Sequence, residues 1–563
     1  MFNPFSPQSD PRPEARLGEG PGTARTHEGA PPPTRAERFQ STWLYRLLLL
    51  GPSAKGLRCS VPDLWPGDPE IGRALVNGRF RLGDEVHTLT PQGPLPPEAS
   101  PAWTAWYHGH SWLRDVGAVG TGEAPYFARE HLTAWIAANT AWSPTAWAPE
   151  VTAERLVNWC QHWNFLTRDG GRGPFEKKLC RAASRDARHL LWSIPTHNRG
   201  FARLHALKGQ AFGVFALLGG EARQTQTLAR LEHEISAQIL PDGGHVERNP
   251  ERLASVLKDL LELKALISAA TGDVPQFLQN ALDRAAPMLR ALRHPDGGLA
   301  VFNGGRAGDN TWLDVLLAQT ASTAKPPPRA PHGGFQRLTA GPVNLIMDCG
   351  QPTTVGHSHH GGTLSFEMSV GKHRMIVNCG ARPERHDPWR TALAATAAHS
   401  TLSVNDTSSS TFDFSGHLRR GPQRVTCARQ DVDQGTLAEA SHDGYMDAFG
   451  LTHHRTVYVA AHGTDVRGED RLVGTGGDRF TVRFHLHPGV KASLLGPGHG
   501  VLLHLADKNI WRLRTSALDV ALEDSVYLGH GGEPRRTEQI VISGPLSGNG
   551  ALIKWAFSRE DAK

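Results

Sequence analysis

The feature that most restricts the fold of this chain is a change of hydrophobic period near residue 325. Upstream, apolar residues recur at three/four spacing in segments 38–50, 126–139, 149–166, 176–192, 201–218, 222–240, 251–271 and 274–292. Thr152, ahead of Leu156, and Pro250, just before the 251 segment, supply helix-start signals. No convincing strand is visible in this half. A long series of antiparallel helix pairs closes into a toroid or stacks as a solenoid. The lack of a fixed-period repeat speaks against an ordinary solenoid. Residues 324–331, rich in proline, then form a stiff linker. Beyond it the period becomes two, with strands expected at 343–347, 364–370, 373–377, 401–404, 456–460, 479–486, 501–505, 510–515, 538–543 and 552–557. Gly371-Lys372 joins two of these as a tight hairpin, with glycine supplying positive φ. The second half is expected to be a large antiparallel sandwich.

The chain thus divides into a disordered tail (1–36), a helical domain (37–323), a linker (324–332) and a sandwich (333–563). The tail is rich in Pro, Gly, Arg and Glu and lacks the apolar stretch of a secretory signal. Near the N-terminus the longest apolar run is 47–50, far short of the roughly 20 residues of a membrane span. A net charge of +5 over 563 residues suits an acidic ligand, and no basic stripe or nucleic-acid module points to nucleic acid. The six cysteines show no CxxC spacing and read as buried or incidental thiols. Cys349 and Cys379 occupy similar strand ends, where a disulfide is geometrically allowed. The sequence leaves the oligomeric state undetermined.

Two stretches carry chemistry. Gly356-His357-Ser358-His359-His360-Gly361-Gly362 places three histidines on a glycine-bracketed turn before a strand, and His399 follows in a second small-residue run. Imidazoles gathered at strand ends ligate metals or move protons near neutral pH. Eleven of the fifteen tryptophans precede residue 200, Trp106 among them. Flat aromatic faces suit sugar rings, although most tryptophans in a helical domain are core.

In order, these parts resemble the heparinase II/III-like polysaccharide lyases. The most specific pieces are Gly356-His-Ser-His-His-Gly-Gly-Thr-Leu-Ser-Phe-Glu367 and Ala397-Ala-His399-Ser-Thr401, with Leu240-Pro-Asp-Gly-Gly-His-Val-Glu-Arg-Asn-Pro250 in the helical half. The resemblance implies a multidomain α and β fold, an N-terminal α/α toroid followed by a C-terminal antiparallel β-sandwich. It also implies β-elimination on a uronic-acid-containing polysaccharide in the cleft between them. That reaction needs the uronate carboxylate neutralised, a base for the C5 proton and an acid for the leaving oxygen. By resemblance, Asn198 or His197 is the neutraliser, with Arg199 as a cation beside it. His357 is the sandwich-side histidine of the elimination. Asn198 capping the helix after it is the structural alternative.

Two departures stand out. The family's tyrosine is missing from the Asn249-Pro-Glu251-Arg252 stretch, and no Tyr lies between 127 and 444. His245, Glu247 or Arg252 then becomes a substitute or a loop-ordering group. The family's structural zinc site maps to His359 or His360, His399 and Asn378, and a neutral Asn is a weak zinc ligand. No other cofactor is expected. His485, alternating with His487 on one strand, is a further candidate to line the cleft or to pack as a polar pair. The expected partner is an acidic polysaccharide or oligosaccharide. Two alternatives stand beside the lyase: a non-catalytic carbohydrate-binding protein of envelope polysaccharide assembly, and a glycoside hydrolase using Asp242 and Glu247. Relatives imply the cell envelope or periplasm, and the missing export signal implies the cytoplasm.

Overall fold

The computed structural model describes residues 34–560, except 121, 168–172, 195–199, 357–358, 383–388, 414–415, 497–499, 518 and 531–532. The helical half is built on long helices whose buried faces meet in one core. They include Glu123–Ala138, Pro149–Gln161, Pro174–Ser193, Phe201–Phe215, Gln224–Gln238, Pro250–Thr271 and Gln276–Ala291. Their ends follow from sequence. The longest, Pro250–Thr271, starts with proline in its first turn and Asn249 accepting from the Arg252 amide, and ends at Gly272 in the left-handed region. Four tryptophans of this half, Trp103, Trp112, Trp147 and Trp159, are fully buried in this core. Trp106 is part of the same packing, with its ring 5.9 Å from Trp103 and 6.5 Å from Phe80.

The helical half differs from its periodicity in several places: segment 149–166 breaks at His162 into Pro149–Gln161 and Trp163–Thr167, and helices Pro69–Val76, Pro101–His108, Leu113–Ala118 and Asn310–Gln319 are added. The segment 38–50 is two short helices, Arg35–Gln40 and Trp43–Leu48, because Thr42 turns back to cap the second. Tyr45 anchors the pair, bonding His189 Nδ1 at 2.7 Å, and leaves Trp43, Leu47 and Leu50 exposed. The half also contains a small hairpin, Arg79–Leu82 with Glu85–Thr88, whose four-residue strands are too short to show a period. Among the described residues no helix is long and apolar enough to cross a membrane.

The second half is two antiparallel sheets around their own core. One runs in the order Val425–Val432, Gly435–Tyr445, Leu451–Ala460, Asp465–Gly474, Ala551–Glu560, Ile510–Thr515, Val501–His504, Lys491–Leu494. The other runs Asp519–Tyr527, Arg535–Pro545, Arg479–Leu486, His373–Val377, Phe366–Val370, Val343–Asp348, Phe335–Ala340, Arg329–Ala330. Gly371 makes the expected turn, at φ 55°. The proline-rich stretch is not wholly a linker, since Arg329–Ala330 pairs with Phe335 and Gln336.

Side chains clasp the halves together. Arg248, itself at φ 57°, pairs with Asp348 and donates from Nε to the Gly333 carbonyl at 2.9 Å. Asn303 donates to the same aspartate at 3.1 Å. A second clasp joins His294 to Glu367 (3.1 Å) and Ser369 (2.7 Å), and Arg374 to Asp296 (2.7 Å) and the Leu299 carbonyl (3.0 Å). All of these groups except Asp296 and Asn303 are buried. Buried charges are tolerated only when paired in this way.

Candidate functional site

A cavity of about 460 Å³ opens where the two halves meet. Asn249, Glu251, Arg252 and Arg306 line it from the helical side, and His359, His360, Arg382, Arg390, Phe412 and Asp413 from the sandwich side. The start of helix Pro250–Thr271 supplies Asn249, Glu251 and Arg252, and the loop before helix Asn310–Gln319 supplies Arg306. Arg306 is already neutralised by Glu251, its Nη2 2.5 Å and Nε 3.0 Å from one carboxylate oxygen. Arg252 is 40% exposed along its side chain, stacks 5.2 Å above the Phe201 ring and lies 4.0 Å from Glu247. Two carboxylates, Glu251 and Asp413, face four guanidiniums, so the lining favours anions.

Glu247 sits at the seam of the two loops with the strongest sequence signals. It is buried, and its Oε1 accepts from the Phe201 amide at 2.8 Å. A Cβ added at Gly200 would lie 2.5 Å from that oxygen, and one added at Gly356 would lie 2.8 Å from the Glu247 carboxyl. The same Cβ at Gly200 would be 3.1 Å from Val355 Cγ1. The helical-side loop end and the start of the histidine turn therefore abut, and glycine at both points is what lets them close on Glu247. Burial holds the Glu247 carboxyl above its usual range. His197, Asn198, Arg199 and His357 lie outside the described residues.

His359 and His360 reach the cavity at one edge. His360 Nδ1 is 3.2 Å from His399 Nε2, and His399 Nδ1 is 2.9 Å from the Ala395 carbonyl. The only tautomers that satisfy both contacts have His399 donating to Ala395 and His360 donating to His399. That leaves His360 Nε2 as the nitrogen with the free lone pair. His359 Nε2 lies 3.1 Å from the Gly356 carbonyl, and burial, the largest cause, brings its pKa down to about 4. Burial also holds His360 well below 6.5, so both rings are neutral at pH 7.

Several expected site residues are engaged elsewhere. His245 is buried, its Nε2 2.9 Å from Gln238 Oε1 and its Nδ1 accepting from the Glu247 amide at 3.3 Å. With both nitrogens used and burial pulling its pKa to about 3, it orders the loop instead of moving substrate protons. His485 is buried behind the cleft, its Nε2 2.9 Å from the Ala397 carbonyl and its Nδ1 2.8 Å from Ser525 Oγ. Trp106 belongs to the aromatic core and is not part of the cavity wall. Asp242 accepts from the amides of Gly244, His332 and Gly333 at 2.7–3.0 Å, and Glu247 from Phe201. The hydrolase pair is therefore spent on backbone. All six tyrosines are described and none lines the cavity; Tyr445, for example, donates to the Leu402 carbonyl.

The donor set does not fit zinc. His360 and His399 present two nitrogens, but Asn378 spends its Oδ1 on the Ser400 amide (3.0 Å) and its Nδ2 on the Val301 carbonyl (3.1 Å). Among the described residues no three His, Cys, Asp or Glu are grouped to hold a metal. Reading motifs missed Arg306, Arg382, Arg390 and Phe412. Arg382 and Arg390 fall in an arginine-dense stretch, Arg306 and Phe412 carry no such signal, and nothing local marks which cations face a cleft.

A family model described as Heparinase II/III-like, C-terminal, matches residues 322–556. Among solved structures, the fold follows one titled heparinase III with a TM-score of 0.71, at 15% identity over 92% of this chain and 89% of that one. It also follows a mutant of heparan sulfate lyase HepC from Pedobacter heparinus, with a TM-score of 0.65 and 14% identity over 89% and 85%. Helical toroid, sandwich and the cleft between them define the class: the chain belongs to the heparinase II/III-like family. Within it, FtsZ-localized protein C of Caulobacter vibrioides (strain NA1000 / CB15N) is a full-length relative, 30% identical over 541 residues and 92% of each chain.

Proposed function

We propose that this protein holds a stretch of acidic, uronate-bearing polysaccharide in the cleft between toroid and sandwich and releases it uncut. The observation that carries this reading is the wall itself. It gathers four arginines from both halves around a cavity of about 460 Å³, while all six tyrosines sit elsewhere and His245 is locked under the loop. Arginine forks match carboxylates in two-point hydrogen bonds, and such charge-assisted contacts are stronger than neutral ones. Elimination also requires an acid for the leaving oxygen; of the residues that would replace the family tyrosine, His245 and Glu247 are tied into the loop, and Arg252 is a cation of the anion-binding wall.

A second reading, elimination driven by imidazole, is favoured by one feature. His360 keeps an unprotonated Nε2 at the cleft, oriented by His399, as a general base requires. The two readings separate in one assay with a panel of uronate polymers. Binding alone gives saturable heat and intact polymer. Elimination gives unsaturated ends that absorb near the ultraviolet edge. Reducing ends without that absorbance overturn both. The relative named for FtsZ localisation supports looking for this protein beside FtsZ; a fluorescent fusion with no FtsZ-dependent pattern would remove that extension.

A further inference from the structure

We propose, on the reading of the cleft as a uronate site, that Glu251 stands in for the ligand's carboxylate: it holds the Arg306 donors until a uronate takes its place, and so sets how tightly uronates bind. Both residues line the cavity. Three donors of Arg306 converge on the Glu251 carboxylate. Nη2 reaches Oε1 at 2.5 Å, Nε lies 3.0 Å from Oε1 and 3.2 Å from Oε2, and the main-chain N–H reaches Oε2 at 3.1 Å. One edge of a guanidinium with an amide beside it matches the two oxygens of any carboxylate, a uronate's included.

The two sides of this pair are held differently. Arg306 lies on an anchored loop. Asn249 Nδ2 donates to the Asn303 carbonyl at 3.0 Å, and a Cβ added at Gly305 would lie 2.7 Å from Asn249 Oδ1. The next amide, of Ala307, donates to the Gly529 carbonyl of the sandwich at 2.5 Å. The loop is therefore fixed to the helix start on one side and to the sandwich on the other. Among the described residues, the Glu251 carboxylate bonds only to Arg306, and its side chain is 28% exposed.

Rotation of the Glu251 side chain alone thus clears the donors, with no movement of the backbone. The three donors stay where they were, ready for the next carboxylate. The exchange is like for like, so each uronate that binds must first replace an internal anion. This lowers affinity and lets the polymer leave again, as a protein that holds and releases its ligand requires.

The test is calorimetry on the full chain with two probes, tetragalacturonate and a hyaluronan tetrasaccharide. Glu251→Gln keeps the side-chain shape and should bind the sugar that native protein binds roughly tenfold tighter, the gain expected from one charge-assisted contact. Glu251→Ala, which leaves no acceptor, should gain at least as much. Glu251→Gln with Arg306→Gln restores the neutral balance of the native pair and should return to about native affinity. A native protein that binds, with Glu251→Gln equal to it or weaker, would overturn the stand-in and leave the uronate reading intact. A gain that survives in the double variant would overturn it too, because the effect would then be plain removal of negative charge. Binding by Glu251→Gln but not by native protein upholds the stand-in as a complete block, and binding by neither removes it together with the uronate reading.

Discussion

Single residues set both the charge and the proton chemistry of the cleft. Arg252 is the cation whose role is easiest to isolate, being partly exposed and held mainly by stacking on Phe201. Replacing it with alanine should remove a charge-assisted hydrogen bond worth roughly 1.5–3 kcal/mol. Affinity for uronate oligosaccharides should then drop about tenfold to a hundredfold by calorimetry, with little change in melting temperature. Buried neutral histidines make a second prediction. His359 and His399 lie at about 4, and His245 and His485 at about 3, each chiefly through burial. Their folded pKa values fall below the ordinary 6.5, so the unfolded chain takes up protons first as the solution is acidified. Stability should be fully present above pH 6.5 and fall steadily toward pH 4. A flat denaturation midpoint across that range would contradict the assignment.

Among the elements, helices Phe201–Phe215 and Pro250–Thr271 are joined by ions instead of by apolar packing alone. Lys208, fully buried, bonds Asp259 at 2.7 Å and Glu262 at 2.5 Å, and His205 bonds Asp259 at 2.8 Å. Lys208→Met removes one partner from each of two buried carboxylates, leaving Asp259 with His205 and Glu262 with Lys258 and Trp65, and should cost about 3 kcal/mol in urea unfolding, the low end for a broken buried pair. Burial alone would lower His205, but Asp259 and Glu154 outweigh it and raise its pKa to about 9. A raised value stabilises fully below pH 6.5, and that contribution is lost as pH climbs through about 9. His205→Gln should remove this alkaline loss. This scale also shows what the sequence makes legible. Helix periodicity marks the long helices because each buries one face. Strand Val425–Val432 escapes notice because most of it is exposed, leaving no alternation to read. The turn at Gly371 is readable because a positive φ demands a particular residue. His245 is not, because the same imidazole serves as base or as buried loop tie, and only its contact with Gln238 decides.

At the scale of the whole molecule, the clasps between toroid and sandwich hold the cleft at a fixed width. Arg248→Met would leave the buried Asp348 with Asn303 and the Gly350 amide as its remaining partners. Calorimetry should then resolve two unfolding transitions where the native chain shows one, since coupling between domains depends on their interface. The order of parts was readable from the sequence because the hydrophobic period changes once and the motifs fall in family order. The cationic wall was not, since it assembles from residues between 249 and 413 that only the fold brings together. The most direct test of the account is a titration of defined uronate oligosaccharides, with the recovered sugar weighed by mass spectrometry. Saturable binding that Arg252→Ala weakens, with every sugar recovered at its starting mass, is the predicted result. No binding across the panel, or fragments bearing an unsaturated end, would contradict it.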